Sequence, residues 1–241
     1  MGLDIGLSCF VVRLNDDGDL LVNSPVSLTG EVKTMLQQIP GTVRHIVLPN
    51  VSPEHFIYGG DWAAAYPHAT FWVAQELMDG KGVAASAGLK VVEQMKAQNV
   101  KICILQDGAP AELGERWRRT RSKLEDASVC IFRDSGGALS EATLYFPEHG
   151  AITMADLAFA GYQNKQMDSN PISALFGKFA GVYRRLGSPA AFLVMLKERS
   201  VATNWRNTVR SWEWDTIWTS HLDPVVIDGR MEFDRCFKFL D

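Results

Sequence analysis

The sequence predicts an α/β protein built from two β-sheets with helices outside them. Two observations carry this. Apolar, strand-like runs stand at the front and the back of each half of the chain, a distribution that suits two packed sheets better than one doubly wound sheet. Helical patterns separate the strands early and gather into a long block later. The length, 241 residues, fits one large α/β domain or two small ones. A chain of 26.7 kDa buries roughly 70% of its unfolded surface, ample for a core. One domain over residues 1–241 is the expectation.

The elements follow in order. Residues 9–14 read as a strand, residues 15–18 (Asn-Asp-Asp-Gly) as a turn and residues 20–24 as a second strand, which together make a hairpin at a sheet edge. Residues 27–38 read as a helix with Thr29 as N-cap and Glu31 and Lys33 on the wet face. A strand over 43–48 stops at Pro49-Asn50, and a short helix over 61–66 is ended by Pro67. A strand over 69–74, a helix over 89–97 and a strand over 100–105 complete the first half.

The second half opens on the basic run 116–123, read as a solvated helix face. Strands over 128–132, 142–146 and 151–155 follow, joined by turns marked by Gly and Pro. Residues 157–199 read as helical, with Gly161, Gly177, Gly187 and Pro189 as breaks. A helix over 203–211, a strand over 216–220, a loop over 221–224 and a helix over 230–239 close the chain. No internal repeat appears.

Composition removes several function classes. The net charge is −4, against a basic nucleic-acid binder, which needs a clustered cationic excess. The longest strongly apolar run, residues 190–196, is far too short to span a bilayer. The first residues show no basic and apolar leader, and Gly6 stands where a myristoylation motif needs Ser or Thr. Cys9, Cys103, Cys130 and Cys236 form no CxxC pair, and three lie in strand-like runs. Reduced thiols in a soluble cytoplasmic protein are the expectation.

Three loops put a titratable side chain just after an apolar strand: Glu54 and His55, Asp156, and His221 with Asp223. Strand ends are where α/β scaffolds present functional groups. Two imidazoles and a carboxylate on three such loops make a donor set for a divalent metal. Other candidates read as structural. His45 lies in a strand, His68 on a strand approach and His149 at a solvated turn. Trp212, Trp214 and Trp218 suit core packing, and Ser135-Gly-Gly137 precedes a strand, so it offers no phosphate cradle.

The order of motifs resembles the metallo-β-lactamase superfamily and, within it, the DUF4336 group. The resemblance runs from about residue 10 to residue 239. It rests on Val22-Asn-Ser-Pro25, His45-Ile-Val-Leu-Pro-Asn50, Gly59-Gly-Asp-Trp62, Tyr66-Pro-His-Ala69, Ala155-Asp-Leu-Ala-Phe159 and the stretch from Trp212 through His221-Leu-Asp-Pro224. It implies an αββα sandwich of two mixed sheets with a site at one edge. In the superfamily that site holds one or two zinc or iron ions through an HxHxDH loop, a middle His, a bridging Asp and a late His. Here His55 matches the last His of the loop, Asp156 the bridging Asp and His221 the late His. Asn50 and Ser52 fill two His positions, Glu54 replaces the Asp, and no His stands near Gly136-Gly137.

Two functions follow from this set. In the first, one Zn or Fe ion on His55, Asp156 and His221 serves a hydrolase acting on a small substrate, with Glu54 or Asp223 as general base. An iron site of this composition also suits oxygen-dependent or redox chemistry. In the second, the chain holds no metal and is a binding module for a small molecule or protein, or an acid–base enzyme using Glu54, Asp156 and His221.

Overall fold

The computed structural model describes residues 6–82, 84–107, 127–133, 139–162 and 171–241. The basic run 116–123 and the glycines at 136 and 137 lie outside the described residues. The chain divides into two compact units, Cys9–Val129 and Cys130–Asp241, the latter joined by the N-terminal residues through Ser8.

The first unit holds a five-stranded sheet in chain order: β1 (Phe10–Arg13), β2 (Asp19–Asn23), β3 (Thr42–Leu48), β4 (Thr70–Val73) and β5 (Lys101–Ile104). β1 and β2 are the predicted edge hairpin, antiparallel, and the other neighbours are parallel. Its turn closes because the Asp19 N–H donates to Asn15 Oδ1 at 3.1 Å, while Gly18 supplies a φ of +81° that other side chains avoid. The helices are α1 (Gly30–Gln38), α2 (Pro53–Phe56), α3 (Gly59–Ala65), α4 (Gln75–Met78) and α5 (Ala85–Ala97). Thr29 caps α1 as expected, its hydroxyl accepting the Val32 N–H at 3.3 Å. The short helices α2 and α4 have no amphipathic pattern long enough to read, and both escaped prediction.

Strand alternation sends Leu20, Val22, Ile46, Leu48, Phe71 and Val73 into one core. Trp62 from α3 and Val91, Val92 and Met95 from α5 meet them there. Gly59 lets α3 approach closely: a Cβ would lie 2.9 Å from Val91 Cγ1 and 3.1 Å from Leu48 Cδ1. Trp62 also satisfies its polar edge, Nε1–H donating to the Val26 carbonyl at 2.7 Å. His45 is structural, as expected. It is buried, and its Nδ1 accepts from Trp72 Nε1–H at 3.1 Å. Burial holds its imidazole well below the usual range, at about 4, against the opposing pull of Asp19.

The second unit holds β6 (Ser128–Arg133), which crosses the unit boundary, then β7 (Ser140–Phe146) and β8 (Ala151–Met154). A small antiparallel pair follows, β9 (Phe159–Ala160) and β10 (Leu186–Gly187), and then β11 (Thr216–Thr219) and β12 (Val225–Val226). The larger sheet has the order β12-β11-β8-β7-β6. It is mixed: β11 runs parallel to β8, and β7 and β12 run antiparallel to their partners β8 and β11. The helices are α6 (Pro171–Ala180), α7 (Ala190–Met195), α8 (Arg199–Ser211) and α9 (Gly229–Cys236), with a 3-10 turn at Lys238–Leu240. Phe132, Ile152, Met154 and Ile217 pack with Trp205 and Val209 of α8 and Phe233 of α9. Trp214 is buried, as expected, and its Nε1–H donates to the Val209 carbonyl at 2.8 Å.

Two five-stranded mixed sheets with helices agree with the sequence reading. The helical block expected over 157–199 does not. Phe159–Ala160 and Leu186–Gly187 are paired strands, and among the described residues the range is helical in α6 and α7 and at the first residue of α8. The glycines read as helix breaks are close backbone approaches instead. A Cβ on Gly161 would lie 2.3 Å from the Val182 carbonyl oxygen, and one on Gly187 would lie 2.2 Å from that of Gly181. The helix expected from residue 203 begins at Arg199, and that expected from residue 89 begins at Ala85. Cys9, Cys103, Cys130 and Cys236 form no disulfide with one another, and no helix among the described residues is long and apolar enough to cross a membrane.

Two expectations follow. Phe233, fully buried with ring centroids 5.3 Å from Trp214 and 4.8 Å from Phe237, anchors the second core. Phe233→Ala therefore lowers unfolding free energy by about 3–5 kcal/mol in denaturant titration. His45 is neutral in the fold and protonates more readily in the unfolded chain. Its contribution to stability is complete above the unfolded value near ~6.5. It declines as pH falls toward about 4, the folded value. In His45→Gln that segment of the pH–stability profile flattens.

Candidate metal centre

Each unit contributes one cluster of metal-capable side chains. In the first unit, β3 ends at Leu48, and Asn50 turns the chain by accepting the Ser52 N–H on Oδ1 at 3.0 Å. Pro53 then opens α2 at a position where its missing N–H costs nothing. This places Glu54 and His55 side by side on one helical turn. His55 is fully buried. Its Nδ1 lies 2.5 Å from the Ser24 hydroxyl. Ser24 follows β2 in the left-handed region, φ 56°, a strained choice for a residue with a Cβ. Its N–H donates to the Val47 carbonyl at 3.0 Å, which holds the bend and aims the hydroxyl at His55. Asn50 and Ser52, where the resemblance expects histidines, therefore build the turn that presents His55.

In the second unit, parallel pairing of β8 and β11 puts Met154 beside Thr219. Asp156 and His221 each lie two residues further on, at the same end of the sheet. Three backbone donors converge on Glu141 beneath them. Its Oε1 accepts the Ala155 N–H at 2.8 Å, and its Oε2 accepts those of Asp156 at 2.6 Å and Leu157 at 3.0 Å. Glu141 is only 2% exposed. A buried carboxylate persists where N–H groups replace its water, so this acid and this turn require each other.

His221, also buried, is held from several sides. The adjacent Ser220 exchanges backbone bonds with Met154 and Ser8, both at 2.8 Å. The Phe159 ring lies against the imidazole, centroids 4.1 Å apart. The Thr219 hydroxyl donates to the Asp223 carbonyl at 2.5 Å, and the Asp223 N–H donates to Ala160 at 2.8 Å. Nδ1 stands 3.1 Å from the Gly6 carbonyl oxygen. A carbonyl only accepts, so Nδ1 carries a proton. Nε2 stands 3.1 Å from Asp156 Oδ1. In the neutral ring Nε2 would turn a lone pair toward a carboxylate oxygen. A proton shared between the two groups, or a metal ion bound by both, would stabilise that contact.

Asp156 and His221 thus meet within one unit, and Glu54 and His55 within the other. Asp223 borders a cavity of about 440 Å³ that Tyr162, Met231 and Glu232 also line. His149 is exposed, with its ring 5.8 Å from Trp218. Sequence reasoning missed Ser24, Glu141 and Gly6. Ser24 stands in a motif already singled out, and a charged residue at the head of an apolar strand is the signal for Glu141. Gly6 acts through its carbonyl, which leaves no side-chain signature.

The Glu141 cradle has a measurable consequence. Glu141→Ala leaves three amides without their acceptor and should cost on the order of 2–5 kcal/mol in denaturant unfolding. Glu141→Gln, which keeps an acceptor oxygen, should cost less.

By sequence, residues 2–78 match the family described as a domain of unknown function, DUF4336. No curated protein matches by sequence. Solved structures share the fold at low identity. The flavodiiron protein from Giardia intestinalis superposes with a TM-score of 0.61 at 11% identity, covering 97% of this chain and 51% of that one. A metal-soaked flavodiiron core from Synechocystis gives 0.60 at 14%, covering 97% and 52%. A metallo-β-lactamase from Pontibacter korlensis gives 0.52 at 8%, covering 96% and 86%. The chain spans about half the length of the first two. It is a metallo-β-lactamase-fold protein whose residues 2–78 match the DUF4336 family.

Proposed function

We propose that the chain is a metal-dependent enzyme of hydrolase type, acting on a small substrate through one ion held by His55, Asp156 and His221. The observation that carries this reading is the contact between His221 Nε2 and Asp156 Oδ1, 3.1 Å long, with Nδ1 committed to the Gly6 carbonyl. An imidazole donating its far N–H to a backbone carbonyl is the usual support of a metal-ligating histidine. His55 has a comparable brace in the Ser24 hydroxyl at Nδ1, which directs ligation to Nε2. The names of the structural relatives, flavodiiron proteins and a metallo-β-lactamase, are consistent with a metal-binding reading.

The donor set fits zinc or iron(II): two imidazoles and one carboxylate, fewer than the four ligands of a closed structural site. When bound, such an ion supplies Lewis acidity, lowering the pKa of water and polarising a carbonyl or phosphoryl oxygen. Glu54, beside His55 on α2 and partly exposed, is the nearer choice in sequence for a general base. Asp223, two residues beyond His221, is the other. Glu141 keeps Asp156 in register and takes no direct part.

Metal analysis after purification without added metal tests this. The expected result is about one equivalent of zinc or iron, lost in both His55→Ala and His221→Ala with circular dichroism unchanged. Protein that refuses both metals and shows His221 as an imidazolium by nitrogen NMR overturns the reading. It would leave Asp156 and His221 as an ion pair in a metal-free acid–base or binding site.

A further inference from the structure

We infer that the second unit carries a binding site for an anionic amphiphile: a carboxylate or phosphate head on an apolar chain. The site is a cavity of about 240 Å³ bounded by the end of α6, β10, α7 and α9. Arg185, Ser188 and Arg235 contribute its polar lining, and no acidic side chain among the described residues lines it. Ser188 is 8% exposed, and its hydroxyl has no hydrogen-bond partner among the described residues. A hydroxyl buried without a partner costs free energy that a ligand oxygen can recover.

The cavity has a cationic wall. Arg185 is anchored by Nε–H donating to the Gly181 carbonyl at 2.7 Å. Arg235 pairs with Glu232, so part of its charge is already answered and Arg185 is the stronger anion contact. Cys236 reports the field between them. Burial pushes its thiol up to about 12, while the Ser188 backbone and then both guanidiniums act in the opposite direction.

The mouth of the cavity is apolar and open. Phe179 and Leu193 line it and are 84% and 44% exposed. Ile172 and Leu175, also exposed, stand seven and four residues before Phe179 and continue one stripe along α6. Exposed apolar side chains gathered in one patch mark a binding surface more often than scattered ones do. From residue 171 to residue 197 the chain carries Lys178, Arg184, Arg185 and Lys197 and no Asp or Glu. An apolar stripe beside a pocket whose charged lining is the Arg185 and Arg235 guanidiniums is the chemical complement of an anionic amphiphile. The cavity is smaller than the ~300–1,000 Å³ of most ligand pockets, so it suits a head group, with the chain lying along the stripe.

A titration of the full chain with dodecyl phosphate, held below micelle formation, tests the site. Inorganic phosphate and uncharged dodecyl maltoside serve as controls. A parallel arm measures cosedimentation with phosphatidylcholine vesicles with and without phosphatidylglycerol. The variants are Arg185→Gln and Phe179→Ser, both at exposed positions, with circular dichroism to confirm folding. The expected result is one saturable site for dodecyl phosphate, weakened at least about tenfold in each variant, with neither control competing. Retention on anionic vesicles alone, lost in both variants, identifies the source of the same chemistry as a lipid head group. Variants that bind like the parent, maltoside that binds as well as the phosphate, or no binding in either arm overturns the inference.

Discussion

The carboxylate of Glu141 accepts three consecutive backbone N–H groups from the turn that carries Asp156. Neither partner is stable in that place alone. A bare carboxylate 2% exposed pays a desolvation penalty of several kcal/mol, and three inward-pointing amides without an acceptor cost nearly as much. Together they form charge-assisted bonds, roughly twice as strong as neutral ones. Because Glu141 sits at the head of β7 and the turn at the end of β8, the antiparallel pairing of these strands sets which acid faces which turn. The position of Asp156, and through it that of His221, depends on this match.

The histidines are handled by one principle in both units. Each has its Nδ1 engaged by a neighbour that owes its place to backbone geometry. For His221 this is the Gly6 carbonyl, brought there by the backbone bond between Ser8 and Ser220. For His55 it is the Ser24 hydroxyl, held in a left-handed bend by Val47. Locking one ring nitrogen defines the direction of the other, which is the requirement for ligation as well as for directed proton transfer. Asn50 and Ser52, where the resemblance expects histidines, fit the same pattern. Asn50 is spent on the turn that carries His55, so the loop keeps its shape with fewer ligands.

The regions outside these two clusters separate by packing. Large aromatic side chains close the second core, and α8 and α9 contribute most of them. The stretch from α6 to α7 is divided: Val182, Leu186 and Phe192 are buried, while Leu175, Phe179, Leu193 and Val194 are exposed, and the backbone around it is drawn together at Gly161 and Gly187, where no Cβ fits.

The sequence by itself determined the class of fold and the candidate ligands. Strand runs with period 2, the Asn-Asp-Asp-Gly turn, the Thr29 cap and the acids and imidazoles after β3, β8 and β11 are all local signals, written in adjacent residues. The edge hairpin and the two sheets followed from them, and the mixed strand order from the family resemblance. Residues 157–199 were misread because a glycine that breaks a helix and a glycine that admits another backbone look alike in one dimension. What only the tertiary structure decided were the partners distant in the chain. The Gly6 carbonyl meets a ring 215 residues away, Ser24 meets one 31 away, and Glu141 reaches amides 14 to 16 residues on. Such contacts depend on strand register and on backbone atoms that every residue shares, so no residue pattern announces them.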